Sequence, residues 1–185
     1  MSKVIEIKWN DLVYLVLVDD GAYEVLSRHT WYIMYSGVNK KPYAFAELYS
    51  KPKGQERIKR MFYMHQMVVG SFTQIDHING NSLDNRFENL RPATYQENGW
   101  NKPKNMNRRK DGRTPSSQFK GVSYVPLKGK PRWAVLISKG KGKGVIRGGY
   151  YDDEIEAAQV YNKMVKEIRG DFAWLNPIPQ INHAN

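Results

Sequence analysis

Asp76-His77-Ile78-Asn79-Gly80-Asn81, then Asn85-Arg86-Phe87-Glu88-Asn89-Leu90-Arg91, then Thr94-Tyr95-Gln96-Glu97-Asn98: residues 76–98 decide how the rest of the chain is read. A carboxylate stands beside a histidine, an asparagine follows twelve positions after that histidine, and a second comes nine later. An imidazole with a reference pKa of about 6.5 suits a general base near neutral pH. A carboxylate and an amide carbonyl are hard oxygen donors, the kind that hold one divalent cation such as Mg²⁺ or Mn²⁺. Adjacent strand residues face opposite ways, so Asp76 and His77 share an edge only if the backbone bends. Asn79-Gly80-Asn81 supplies turn chemistry just beyond. Thr94 and Glu97 fit a capping box with Thr94 as N-cap, which puts Asn98 in the first helical turn. A strand, a loop, a strand and a helix would bring residues 76, 77 and 98 together.

The charge distribution points to a polyanion. The 185-residue chain carries a formal +11, but residues 1–101 contribute only +1, residues 102–117 contribute +5 and residues 118–185 another +5. A basic connector beside a basic domain is the footprint of a nucleic-acid partner. The alternative is a basic surface that serves solubility alone. Zero Cys excludes disulfides and thiolate-bound zinc. Apolar content of 41%, with five Trp, twelve Tyr and six Phe, argues for folded cores. With no apolar run of membrane-spanning length and no signal-peptide pattern, a soluble cytoplasmic protein is expected, without membrane association or a small-molecule cofactor.

Outward from the central stretch, residues 3–9 read as a strand with Ile5, Ile7 and Trp9 on one face, and Leu12 to Val18 as a buried strand. Residues 22–28 suit one or two helical turns. Trp31 to Ala44 suggests a hairpin with turn residues at Ser36-Gly37 and Lys41-Pro42, and Lys51 to Gly54 an exposed loop. Residues 56–69 allow strand or helix; a strand leading into a helix that ends at Gly70 is preferred. Residues 102–117, with Pro103, Pro115 and six basic side chains, read as an extended, poorly packed linker. Beyond it, strands are expected at 121–125, 133–138 and 145–151, then a helix over 154–168 capped by Asp152-Asp153. Ile155, Ala158, Val165 and Ile168, with Ala157 and Tyr161, make its apolar face.

Asp76-His77, Asn89 and Asn98 resemble the HNH (ββα-metal) nuclease motif in the variant that ends in Asn, and the text from Met64-His65 to Arg91 resembles phage HNH homing endonucleases. The resemblance implies that Asp76 and Asn98 bind one divalent metal, Mg²⁺ or Mn²⁺, that His77 is the general base and that Asn89 orients it through its side chain. Asn85, Arg86 and Arg91 would lie near the phosphates. His65 recurs in the family before the motif, either as a participant or as a core histidine that fixes backbone. Asn79 and Asn81 read as ordinary turn residues, and Tyr95 and Trp100 as packing residues.

Gly121-Val122, Arg132 to Ile137, Gly149-Tyr150-Tyr151, Glu156-Ala157-Ala158, Tyr161-Asn162 and Arg169-Gly170 resemble the Apetala (ethylene-response-factor) DNA-binding domain. In that family a three-stranded sheet enters the major groove and a helix packs behind it. Trp133, Val135 and Ile137 would pack on the helix. On the reading face only Arg147 suits guanine readout, whereas Lys120, Lys128, Lys130, Arg132, Lys139, Lys141 and Lys143 suit phosphates. Lys102, Lys104, Arg108, Arg109, Lys110 and Arg113 would track a groove as a strap.

The expected architecture is therefore α+β: a β-rich nuclease domain over 1–101 with a ββα-metal core, a basic linker over 102–117, and a three-stranded antiparallel sheet packed on one helix over 118–185. The expected function is metal-dependent cleavage or nicking of double-stranded DNA, of the phage homing type, by a monomer or weak dimer in the infected host cell. The rival is a DNA-binding protein with a vestigial nuclease site. An RNA-directed role is disfavoured, because the A-form major groove is too narrow for strands.

Overall fold

The computed structural model describes residues 1–37, 40–50, 58–71, 73–106, 112, 114–126, 132–140 and 142–179. The chain is mixed α and β, with several small antiparallel sheets and few helices. It divides into two compact units, Met1–Tyr95 and Gln96–Asn185.

The first unit opens with an antiparallel hairpin of β1 (Ser2–Trp9) and β2 (Leu12–Asp19), turned by Asn10 and Asp11 at φ 46° and 60°. These two side chains tolerate the left-handed region that a two-residue hairpin turn demands. The period-2 pattern decides what is buried: Ile5, Ile7, Val16 and Val18 enter the core. Val13 and Leu15, on the opposite face, are more than half exposed, so β2 is not buried throughout as its apolar run suggests. Helix α1 (Asp20–Leu26) follows. Strands β3 (Tyr32–Ser36), β4 (Lys41–Ser50) and β5 (Ile58–Tyr63) form a sheet with β4 central. Lys41-Pro42 begins β4 instead of making a turn. Pairing with β5 starts only at Phe45, so the proline's missing N–H falls where β4 is still an edge. The Lys51–Gly54 loop lies outside the described residues. Helix α2 (Met64–Val69) stops at Gly70, whose φ of 67° is the usual left-handed helix end.

A second, two-stranded ladder carries the central stretch. It pairs β6 (Ile75–His77) with β7 (Leu90–Pro92), and a short 3₁₀ turn over Phe87–Asn89 leads into β7. Helix α3 (Tyr95–Trp100) starts directly after Thr94, where the capping pattern places it. The division between the units falls between Tyr95 and Gln96, at the first residue of this helix.

In the second unit β8 (Val122–Val125), β9 (Arg132–Ser138) and β10 (Val145–Tyr151) form an antiparallel sheet in the order β10-β9-β8. Helix α4 (Glu154–Arg169) begins at Asp153, whose carboxylate accepts the Glu156 N–H at 2.8 Å. Val122, Val135 and Ile137 pack against Ala157, Ala158, Tyr161 and Val165, with Trp133 alongside. Each fully buried aliphatic side chain there contributes about 1.5–3 kcal/mol. Ile168, expected on this face, is 46% exposed. Gly121 is required: its φ is +76°, and a Cβ there would stand 2.0 Å from the Tyr161 ring. The linker's C-terminal end is pinned: Ser117 is buried and its Oγ accepts from Phe119 N, while Ser116 Oγ accepts from Tyr124 N.

Candidate active site

All three residues of β6 are buried, Asp76 to 3% and His77 to 7% exposure. The antiparallel register sets Asp76 opposite Arg91, and the guanidinium closes on the carboxylate, Nε at 2.9 Å and Nη2 at 2.7 Å from Oδ2. This cross-strand pair fixes the carboxylate's orientation. The His77 ring meets the His65 ring edge-on at 5.1 Å and the Tyr43 ring at 6.1 Å, and Tyr63 stacks on His65 at 5.3 Å. Burial pushes the His77 pKa below its ordinary value, against the opposing bond to Asn85 and the nearby Asp76 charge. Burial, then the neighbouring His77, pushes His65 down to about 3. Both imidazoles are therefore neutral near pH 7, the state a proton acceptor needs.

The loop between β6 and β7 is clasped by Asn89. Its Oδ1 accepts from Asn79 N at 2.9 Å, and its Nδ2 donates to Asn79 Oδ1 at 3.0 Å and to Asp84 O at 2.8 Å. The Asn89 backbone carbonyl also accepts the Ile78 N–H at 2.9 Å. Asn89 thus shapes the loop that carries His77, and its amide does not bond the ring as expected. The amide at the ring is Asn85, whose Oδ1 lies 3.1 Å from His77 Nε2. Asn79 is more than a turn residue, since it also donates to Asp84 Oδ2 at 2.8 Å. Lys41 Nζ donates to Gly80 O at 2.6 Å.

The motif arginines face carboxylates. Arg86 grips Asp84 through Nε at 2.8 Å and Nη2 at 2.7 Å, holding that carboxyl below its usual range, and reaches Glu88 at 2.8 Å. Arg91 is held by Asp76.

In the second unit, Asn98 sits half-buried in α3. Two lysines expected at phosphates instead donate to backbone carbonyls. Lys104 Nζ bonds Phe119 O at 2.9 Å and Val122 O at 2.8 Å. Lys120 Nζ bonds Trp100 O at 2.7 Å and Lys102 O at 2.5 Å, and burial pushes its pKa down to about 8. Trp100 packs beneath the Arg169 guanidinium at 5.0 Å, whereas Tyr95, expected to pack, is 87% exposed. Arg132 pairs with Asp152 at 3.4 Å. Lys102, Lys139, Lys143 and Arg147 are exposed. Arg108, Arg109, Lys110, Arg113, Lys128, Lys130 and Lys141 lie outside the described residues.

Among the described residues no three His, Cys, Asp or Glu side chains gather as a metal site. The donors the motif offers are all oxygen, the Asp76 carboxylate and the Asn98 amide. This donor chemistry fits a hard cation that keeps water and substrate oxygens as its other ligands.

Residues 67–100 match the family described as HNH endonuclease, a span that runs from α2 through β6, β7 and α3. An uncharacterized HNH endonuclease of Acanthamoeba polyphaga mimivirus is 29% identical over 156 residues, 83% of this chain and 70% of that protein. No solved structure matches. The chain thus carries an HNH endonuclease domain in its central stretch, and the family match leaves β8 to α4 without an assignment.

Proposed function

We propose that this chain is a metal-dependent DNA endonuclease of the phage homing type. His77 is its general base, and Asp76 and Asn98 are the ligands of one divalent cation. The observation that carries the reading is the pair at β6: a buried, neutral imidazole next to a buried carboxylate, inside the span that matches the HNH endonuclease family. His77 accepts the proton of the attacking water as the new O–P bond forms and the P–O3′ bond breaks. Arg91 keeps the Asp76 carboxylate in one orientation, and Asn89 keeps the loop beyond His77 closed. The cation, Mg²⁺ or Mn²⁺, supplies charge neutralisation at the phosphate and stabilisation of the leaving oxygen when bound.

The second unit serves as the DNA anchor through an Apetala-type sheet, with Lys102, Lys139, Lys143 and Arg147 among the unit's exposed cations. One active site per chain suits nicking. The test is supercoiled plasmid DNA with Mg²⁺ or with EDTA, wild type beside His77→Ala. Open-circle product that needs both Mg²⁺ and His77 is expected, with DNA binding kept in the variant. Cleavage that persists in His77→Ala refutes the reading.

A further inference from the structure

Strand β4 lies outside residues 67–100, yet its alternate side chains reach the site that this span carries. Lys41, Tyr43 and Phe45 share one face by the strand's period of two. Lys41 Nζ donates to Gly80 O, just beyond His77, and Phe45 meets the Tyr32 ring at 5.7 Å. Between them Tyr43 stands edge-on to three rings at once: Tyr63 at 5.9 Å, His65 at 5.9 Å and His77 at 6.1 Å. A phenylalanine would make the same ring contacts. The hydroxyl is what they leave unexplained. It has no hydrogen-bond partner among the described residues, although a half-buried tyrosine oxygen ordinarily finds one, and it is not sealed from solvent.

The surroundings of this hydroxyl suit a donor. Burial first, then the neighbouring Tyr63 phenol and the Asp76 carboxylate, push the Tyr43 pKa above its ordinary value, so the phenol keeps its hydrogen near neutral pH. Arg86 and Arg91, the donors expected at the phosphates, are engaged by Asp84 and Asp76, so a donor from another element is called for. We propose that Tyr43 is a further catalytic residue, whose hydroxyl donates a hydrogen bond to a non-bridging oxygen of the scissile phosphate. This rests on the reading of His77 as the general base. His77 takes the water's proton as the new O–P bond forms and the P–O3′ bond breaks. Tyr43 keeps its own hydrogen throughout, and its bond strengthens as charge builds on the phosphate oxygens.

The test compares the full chain with Tyr43→Phe, which keeps the ring and removes the hydroxyl. Its urea midpoint and its KM on supercoiled plasmid should match wild type, and its kcat should fall about 10–100-fold, the range for a hydrogen bond to a charged group. Trifluorotyrosine at position 43 keeps the hydroxyl but ionises nearer neutrality. It should restore the rate below that lowered pKa and lose it as pH rises through it, while wild type stays active. A ring that acts by packing alone predicts a wild-type rate in Tyr43→Phe and no new alkaline limb in the fluorinated protein, and either result overturns the proposal. A second measurement needs no turnover. In EDTA, with ¹³Cζ-labelled tyrosine, the Tyr43 signal is assigned by its absence in Tyr43→Phe and should shift when duplex DNA saturates the protein. An unshifted signal overturns the proposal as well. Persistent cleavage by His77→Ala is a different failure, that of the general-base reading, and the Tyr43 signal separates the two.

Discussion

Acidification should unfold the first unit through His65. The ring is 9% exposed and packs against the rings of His77 at 5.1 Å, Tyr63 at 5.3 Å and Tyr43 at 5.9 Å. Its folded pKa is about 3, against 6.5 ordinarily. Between these values the unfolded chain binds the proton and the folded chain does not, so stability rises with pH across that window and falls as pH drops through it. The contribution is complete above the unfolded pKa. At pH 5 the loss is about 2 kcal/mol, and below the folded pKa it approaches about 5 kcal/mol. His65→Phe keeps a ring for the Tyr63 stack and removes the titration. Urea unfolding at pH 8 and pH 5 can be followed at the Trp31 indole N–H, which donates to Leu26 O at 2.7 Å inside this unit. His77 is lowered in the same direction but is present in both proteins, so the double difference isolates His65. The variant should gain about 2 kcal/mol on wild type between pH 8 and pH 5. Equal pH dependence in the two proteins would refute the account.

Lys120→Met and Lys104→Met should each lower the stability of the second unit by about 1–3 kcal/mol, because each lysine donates to two backbone carbonyls. Neither should change the slope of log K against log salt for duplex DNA. Lys139→Ala or Lys143→Ala, at exposed positions, should leave stability alone and reduce that slope by about one; a shallower slope in Lys120→Met would put that residue back among the phosphate contacts. Asn89→Ala breaks three side-chain bonds inside the β6–β7 loop and should cost about 2–3 kcal/mol in urea unfolding. An unchanged stability would remove Asn89 from the clasp.

The elements were legible wherever local pattern decides them. Alternation places β1, the Gly70 stop ends α2, and the Thr94 and Asp153 signals mark the starts of α3 and α4. The unbroken apolar run of β2 misled about burial, since an apolar residue on a strand's outer face looks in sequence like one on its inner face. Asp76 and His77 stand out because Asn89 and Asn98 follow at the spacing of the HNH motif that the stretch resembles. Asn85 does not, because a lone amide eight positions after a histidine has no periodic or compositional mark; only the β2 ladder, formed across the chain from Leu17, brings it to Nε2.

The same limit governs charge. A lysine that binds phosphate and one that staples a helix end are the same letter, and the difference lies in what tertiary structure puts within 3 Å. Lys120 lies at Trp100 O, the end of α3, where a cation is favoured by the helix dipole, and Arg169 covers the Trp100 ring of that same helix. Arg86 and Arg91 are held by carboxylates, Arg132 faces Asp152, and Lys104 is engaged by carbonyls. The count of 29 Lys and Arg therefore overstates the number of cations open to contact a polyanion. Among the described residues singled out as contacts, the cations placed at an open surface are Lys102, Lys139, Lys143 and Arg147, all in the second unit. A division of labour follows from this placement. Arg86 and Arg91 act on the first unit's own carboxylates, and on the proposed reading the cationic contacts to DNA are expected from the second unit. The salt slope of binding should therefore respond to substitutions in the second unit, and changes at Arg86 and Arg91 should act through Asp84 and Asp76.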